Sequence, residues 1–450
     1  MKDTDVRIVS AGIDFEDYDY RAPMKFGGNI VRKVTVLNAH VTVENRAGKK
    51  AEGFGSMTLG NVWSWPSKTL GYDGTLAAMK LHAEKICSQL HNLREYGHPV
   101  ELMSGIENAL VKSGEEASRE LNIAEMMPVL CALVTISPFD AALHDAYGKM
   151  LGKNVYGCYS KEYMNADIGN YLDGRFTGEY LDRYTLCNPK ETMPLYHLVG
   201  AVDPLTQADL TNPVNDGLPE TLPEWIERDG LTHLKIKLNG DDLEWDVDRV
   251  INIERVASQT NSKLKASRWL YSLDFNEKCK NVEYLLDFLG KIKEKSPEAL
   301  ERIQYIEQPT SRDLRAGPEN KMHKAAKIKP VVIDEALVDF ESLLLSVELG
   351  YSGVALKACK GQTNALLMAA AAQKLGLFLC VQDLTCPGAS FLHSAGIAAR
   401  IPGVAAIEGN ARQYLPPRAY RKWSEKYPEV FKVAGGSIKT GGLTKTGLGH

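Results

Sequence analysis

The runs HLKIKL (233–238), RWLYSLDFN (268–276), IQYIEQP (303–309), VVIDE (331–335) and GVALK (353–357) decide the fold. Each is short and rich in Val, Ile, Leu, Phe or Tyr, and ends in or near a polar residue, the pattern of a buried parallel strand. The same pattern begins earlier, at PLYHLVGAV (194–202), and continues through LFLCVQD (377–383) and VAAIEGN (404–410). Helix-length segments separate the runs. DLEWDVDRVINIERVAS places Leu243, Val247, Val250, Ile251 and Ala257 on one face and leaves Val256 off it. NVEYLLDFLGKI and FESLLLSVELG behave alike, and QTNALLMAAAAQKLG closes at Gly376. Eight strands with about seven intervening helices predict a parallel sheet with right-handed crossovers. Eight units predict closure into a TIM-type barrel, with a doubly wound open sheet as the alternative.

The preceding residues read as an α+β domain. VRKVTVLNAHVTVE alternates, and a turn at Asn45–Gly48 leads into KKAEGFGSM, so an antiparallel hairpin or meander is expected. Two long helical runs follow, TLAAMKLHAEKICSQLHNLREYG and PVELMSGIENALVKSGEEASRELN. A third, SPFDAALHDAYGKMLG, is expected to start with Ser137 and Pro138 at N-cap and N1 and to stop at Gly152. The last residues, GSIKTGGLTKTGLGH, predict an extended loop rather than a packed element. Two polar stretches interrupt the pattern, 160–192 and 203–222. In a barrel the second would lie on the face where substrates bind, or else be a solvated insertion. The resulting division is 1–192, 193–415 and 416–450.

Composition narrows the function. The chain has 450 residues, 44% hydrophobic and 24% charged, enough to bury a large core. Lys plus Arg is 53 against 57 for Asp plus Glu, a net charge of −4. That argues against nucleic acid or a membrane surface as partner and leaves room for a small anionic substrate. The longest apolar run noted, Ala365 to Ala372, is far short of the ~20 residues of a membrane span. No apolar leader opens the chain, and eight cysteines form no CxxC pair, which argues against zinc and for free thiols in a reducing cytoplasm.

The polar strand ends carry the chemistry. Lys235 and Lys237 lie two apart and so share one side of a strand; Asp274 and Asn276 repeat that spacing. Glu307, Asp334 and Lys357 end the next three strands. A lysine pair alone reads as a solvated edge, and one Asp at a strand end as a helix cap. Successive strands ending Lys, Asp, Glu, Asp and Lys are not covered by caps and edges. Adjacent strands are about 4.8 Å apart, so three carboxylates would converge and need a counter-charge. Oxygen ligands without His or Cys point to Mg²⁺, with Mn²⁺ possible.

In order and spacing these residues resemble the enolase superfamily, specifically its muconate-lactonizing-enzyme subgroup within the mandelate racemase/muconate lactonizing enzyme family. SPFDAALHDAYGKMLGKNVYGCYS resembles the family segment leading from capping domain to barrel, and TKTGLGH its Gly-rich tail. The resemblance implies an α+β capping domain on a (β/α)7β barrel. It implies metal ligands Asp274, Glu307 and Asp334, with Lys237 and Lys357 as acid and base on opposite faces and Lys235 as electrostatic support. A lysine base must be neutral, so its pKa is expected to fall, pushed by the neighbouring lysine and the metal. Lys360 is the rival of Lys357. The reaction implied is Mg²⁺-dependent removal of the α-proton of a small carboxylate, as a racemase or epimerase, with a lyase, cycloisomerase or non-catalytic carboxylate binder as alternatives. A homo-oligomer is the family's expectation.

The chain departs from the pattern in three places. Strand seven ends Val381-Gln382-Asp383 where the mandelate-racemase subgroup has a His, and His393, farther on, reads as packed or capping rather than catalytic. Strand eight has Glu408 and Asn410 where dipeptide epimerases carry Asp-x-Asp. The gap from Lys237 to Asp274 predicts an inserted turn near Asn261–Lys265. Specificity is expected from Tyr18 to Phe26, from Phe54 to Trp65, and from Asp383, Thr385 and Glu408. Trp63 and Trp65 are either part of that set or core.

Overall fold

Alternation along the N-terminal chain builds an antiparallel sheet of β1 (Val6–Phe26), β2 (Asn29–Asn45) and β3 (Lys50–Thr58), in that order. This computed structural model describes residues 1–26, 29–264, 268–317 and 320–450. The turn falls where expected: Asn45 Oδ1 accepts from the amides of Ala47 and Lys49, and Gly48 takes φ +79°. β1 was not anticipated. Its acidic residues are poor strand formers, yet Ala11, Ile13 and Phe15 alternate with Gly12, Asp14 and Glu16 and pack inward against β2.

Three helices back the sheet: α1 (Tyr72–Asn92), α2 (Pro99–Glu120) and α3 (Val129–Leu151). α3 starts eight residues before the predicted cap, and Pro138 lies in its interior. Proline cannot donate to the Val134 carbonyl four residues back; the Ser137 hydroxyl does so instead, at 2.9 Å. That local replacement lets the helix run through. It ends as predicted at Gly152, which is left-handed. At 23 residues α3 is long and apolar enough to cross a membrane, but 94% of its most apolar window is buried in the protein. The sheet lies directly on it because Gly53 and Gly55 carry no Cβ: one on Gly55 would sit 2.0 Å from the Pro138 carbonyl.

The barrel strands are β4 (Thr192–Val199), β5 (His233–Lys237), β6 (Leu270–Asp274), β7 (Ile303–Glu307), β8 (Val331–Ile333), β9 (Gly353–Lys357), β10 (Phe378–Gln382) and β11 (Val404–Glu408). All eight run parallel, and β11 pairs with β4, so the barrel is closed rather than an open sheet. The crossover helices include α4 (Leu222–Asp229), α5 (Leu243–Lys263), α6 (Val282–Lys295), α7 (His323–Ala326), α8 (Phe340–Glu348), α9 (Gln362–Lys374) and α10 (Gly388–Arg400). In α5 the buried face is wider than predicted. Val256 and Ile253 are buried, while Leu243 and Ile251 are only half-buried, because the helix packs against the helices on either side of it. The extra length before β6 goes into α5 itself, which reaches Lys263; Lys265 lies outside the described residues.

The tail is packed, contrary to expectation. β12 (Ser437–Lys439) pairs antiparallel with β4, and Leu443 and Leu448 are buried. The Leu448 amide donates to Asp145 of α3, so glycines that look like loop punctuation allow close approach instead. Residues 160–192 form short 3₁₀ turns whose Tyr163, Phe176, Leu181 and Tyr184 are buried. Residues 203–222 follow β4 and are tied to β1 by the Arg21–Asp216 ion pair.

Candidate active site

Strand parity places the site. Residues two apart point to one side, so each barrel strand sends one residue inward low and one high. The low layer includes Tyr196, Tyr305, Val332, Ala355, Cys380 and Ala406, a closed plug. Two residues on along β7, β9, β10 and β11 come Glu307, Lys357, Gln382 and Glu408. Lateral register aligns Lys237 with Asp274, and Asp274 with Glu307. The result is one cavity of about 60 Å³ at the C-terminal ends of the strands. Lys235, Lys237, Asp274, Glu307, Asp334, Lys357, Asp383, Thr385 and Glu408 all line it. Lys360 does not: it donates to the Asp334 carbonyl at 2.5 Å from behind, so Lys357 is the lysine that reaches the cavity.

Each lysine of this cluster is paired with a carboxylate. Lys235 Nζ donates to Glu307 (2.8 Å), Gln382 (2.5 Å) and Glu408 (3.0 Å) and lies 3.2 Å from Asp274. Lys237 donates to Asp274. Lys357 Nζ stands 2.9 Å from Asp334 Oδ2, an ion pair without the alignment of a hydrogen bond. Pairing decides the protonation. Burial lowers the Lys235 ammonium, but Glu307, Glu408 and Asp274 raise it further, and the net shift is well upward. Lys357 is likewise raised, because Asp334 outweighs burial. The expected fall in lysine pKa is therefore not found at Lys357: the facing carboxylate holds the proton on. Lys360 shifts down, through burial and its neighbour Lys357.

The carboxyls divide in the opposite sense. Asp274 is held low by Lys237 and Lys235, although burial works against it. Glu307 is pushed well above the usual carboxylate range by burial and Asp274. Burial and Asp334 push Glu335 up to about 8, and burial and Glu408 push Asp383 up to about 6. Among the described residues the cluster has four buried lysines (235, 237, 357 and 360) and six buried carboxyls (Asp274, Glu307, Asp334, Glu335, Asp383 and Glu408). That surplus of two acids matches one divalent cation. Oxygen donors on three adjacent strand ends suit a hard ion, and Asp334 Oδ2 has no hydrogen bond. As the side chains stand, no three acidic, His or Cys groups among the described residues are clustered tightly enough to hold a metal. Asp274 leans to Lys237, Asp334 to Lys357 and Glu307 to Lys235.

Other residues complete the site. Gln308 Oε1 accepts from the Asp334 and Ala336 amides, fixing the Asp334 backbone. Gln382 bridges Lys235, Glu307 and Tyr305. Its parity with Cys380 was the available signal. Asn276, Gln308 and Thr385 have φ of +46°, +31° and +54°, left-handed strain gathered at strand ends around the cavity. From the capping domain, Trp63 sets its ring 4.1 Å from Lys357 Nζ and donates its indole N–H to Glu335 at 2.9 Å. Trp65 instead packs in the core, bonded to Glu125. Tyr20, Met24, Lys33 and Leu59 also line the cavity; the Phe26 side chain lies outside the described residues. Both carboxylate oxygens of Glu408 are engaged, by Lys235 and Asn410. Asp383 accepts from three backbone amides. His393 is packed in α10 against Gln362.

No protein-family model matches this chain, and no curated protein matches it. Solved structures do. An N-succinyl Arg/Lys racemase from Bacillus cereus is 16% identical, with 98% of this chain and 95% of that one covered at TM-score 0.63. A dipeptide epimerase from Cytophaga hutchinsonii, solved with Mg and a dipeptide, is 15% identical over 98% and 95% at TM-score 0.61. A muconate lactonizing enzyme from Pseudomonas fluorescens is 17% identical over 98% and 96% at TM-score 0.60. The chain thus has the fold of the enolase superfamily's mandelate racemase and muconate lactonizing enzymes, an antiparallel capping domain over a parallel eight-stranded barrel.

Proposed function

We propose that this protein is an enzyme that exchanges the proton on a carbon next to a carboxylate and inverts that carbon, acting on a small carboxylic acid. One observation carries the reading. Two buried lysines on opposite strands of the barrel, Lys237 and Lys357, line one cavity, with Asp274, Glu307 and Asp334 on the strands between them. Amines on two faces of one carbon are what inversion requires, since the proton leaves one side and returns on the other.

Asp274, Glu307 and Asp334 would hold Mg²⁺, with Mn²⁺ also suited to their oxygens. When bound, the ion supplies fixed positive charge against the negative charge that develops on the substrate carboxylate. Lys237 removes or returns the proton on one face and Lys357 on the other; Lys357, held protonated by Asp334, can deliver a proton as it stands and takes one up only once Asp334 has turned away from it. Lys235, tied to three carboxylates and Gln382, stays charged and adds to the field. Trp63 and Leu384 also line the cavity.

The test is α-proton exchange in D₂O with Mg²⁺ over N-acyl amino acids, dipeptides and sugar acids. Deuterium should enter both configurations of an accepted acid. Loss of water or ring formation without inversion would make the protein a lyase or a cycloisomerase. No exchange with any acid would sink the reading.

A further inference from the structure

Helix α9 begins without a cap of its own. Its N-cap position is Gly361, at φ +104° and with no side chain to bond the first amides. Those amides have no partner inside the helix. A residue of the capping domain supplies one. Asp140 of α3, only 3% exposed, accepts from the Thr363 amide through Oδ2 at 2.7 Å and from the Thr363 hydroxyl through Oδ1 at 2.9 Å. A carboxylate is also the charge that a helix start favours. The seat is close: a Cβ on Gly361 would fall 2.8 Å from Asp140 Oδ2.

A buried network steadies that carboxylate. With its proton given to Asp140, the Thr363 hydroxyl oxygen accepts from His144 Nε2, 2.9 Å away. His144 Nδ1 then accepts from the Tyr159 hydroxyl at 2.9 Å, and that oxygen accepts from Gln362 Nε2 at 3.1 Å. The donors run one way, from Gln362 round to Asp140, so all these bonds form together.

What Asp140 holds is the turn that carries one side of the candidate site. Lys357 ends β9, Ala358–Lys360 make a single 3₁₀ turn, and α9 follows Gly361. Lys357 Nζ stands 2.9 Å from Asp334 Oδ2, while Lys360 donates to the Asp334 carbonyl and lies 3.3 Å from Oδ1. Pairing with Gln382 fixes the Lys357 backbone. The carboxylate toward which its ammonium leans is held by Lys360, from the far end of the same turn. Asp140 itself does not line the cavity.

We propose that Asp140 is a positioning residue for Lys357: by capping α9 from the capping domain it fixes the turn, and through Lys360 and Asp334 it aims the Lys357 amine. This rests on the proton-transfer reading and ties one of its two faces to the docking of α3 on the barrel.

Deuterium exchange of single enantiomers tests it, on the full chain with Mg²⁺ and N-acyl amino acids as probes. Asp140→Ala should slow the enantiomer that Lys357→Ala silences about tenfold more than the one that Lys237→Ala silences. Asp140→Asn can keep the bond from the Thr363 amide but loses the charge, and should show the same bias at about threefold. General loosening slows both enantiomers alike, so the ratio is the readout, and Asp140→Asn decides should Asp140→Ala fail to fold. Amide hydrogen exchange over residues 358–364, read by mass spectrometry, should quicken about tenfold in Asp140→Ala. Equal slowing of both enantiomers, or none, overturns the proposal and leaves the two-lysine reaction standing. A wild type that exchanges no acid ends that reaction instead. Amide exchange over 358–364 then decides alone: faster exchange supports the hold of Asp140 on the turn, and unchanged exchange overturns it.

Discussion

Lys237 and Lys357 stand opposite each other in the closed barrel, with three strands between them in either direction. Each reaches the cavity from the last residue of its strand. A substrate carbon held between them meets one amine per face, so the two residues should fail differently. Lys237→Ala should stop deuterium exchange starting from one enantiomer and Lys357→Ala from the other, each by about 10²–10⁴-fold. Proton NMR of each enantiomer in D₂O reads this. Both variants exchanging normally would remove them as acid and base.

Six buried carboxyls against four buried lysines make this cluster sensitive to a cation. Mg²⁺ that binds the folded protein alone should raise its melting temperature, by about 2.7 kcal/mol of stability at a concentration 100 times Kd. Glu307→Gln should abolish the rise, and a chelator should reverse it in the wild type. A melting temperature indifferent to Mg²⁺ and Mn²⁺ would remove the metal from the account.

Trp63 binds two groups of the site at once: its ring lies over Lys357 and its N–H meets Glu335. Trp63→Phe keeps a ring but leaves a buried Glu335 oxygen without its donor, so it should cost about 1–3 kcal/mol of stability. Adding Glu335→Gln should cost less than the sum of the single changes, because both act on one contact. Chemical denaturation of the cycle measures this coupling. Additive losses would mean that the two residues act independently.

The strand-end charges were legible because parity and parallel pairing turn sequence spacing into shared direction. Lys235 and Lys237 had to point the same way, and five successive strands ending in charge had to converge. The contacts that hold those charges were not legible. Gln308 and Gln382 look like ordinary turn or strand amides until their partners are known. Trp63 meets Glu335 across 272 residues, with no local signal. Elsewhere local rules lost to packing. Pro138 looked like a helix start until Ser137 supplied the missing bond, and the glycines of the tail permit contact with α3 rather than a loop. The acidic residues of β1 hid an alternation that its pairing with β2 reveals.

Gly55 tests how tightly the capping sheet sits on α3. Its missing Cβ would fall 2.0 Å from the Pro138 carbonyl, and backbone on both sides cannot move aside as a side chain could. Gly55→Ala should therefore cost more than the roughly 1–3 kcal/mol typical of overpacking. A change within 0.5 kcal/mol, roughly the scale of neutral surface substitutions, would show that sheet and helix are less closely packed.

His82 offers a pH test away from the site. Burial pulls its pKa down to about 4, and its Nε2 bonds the Leu110 carbonyl. In the unfolded chain it takes up a proton near its ordinary value of 6.5, whereas the folded protein does so only near 4. The unfolded state therefore binds more protons between those values, and the His82 contribution to stability falls as pH drops through that window. Asp383 and Glu335, raised in the folded state, act in the opposite direction, losing stability as pH rises, so the wild-type slope alone mixes the two. His82→Gln removes one term only. The stability difference between wild type and variant should favour the wild type most at pH 7.5 and shrink steadily toward pH 4.5, as measured by urea denaturation. A difference that stays constant with pH would mean that His82 is protonated alike in both states.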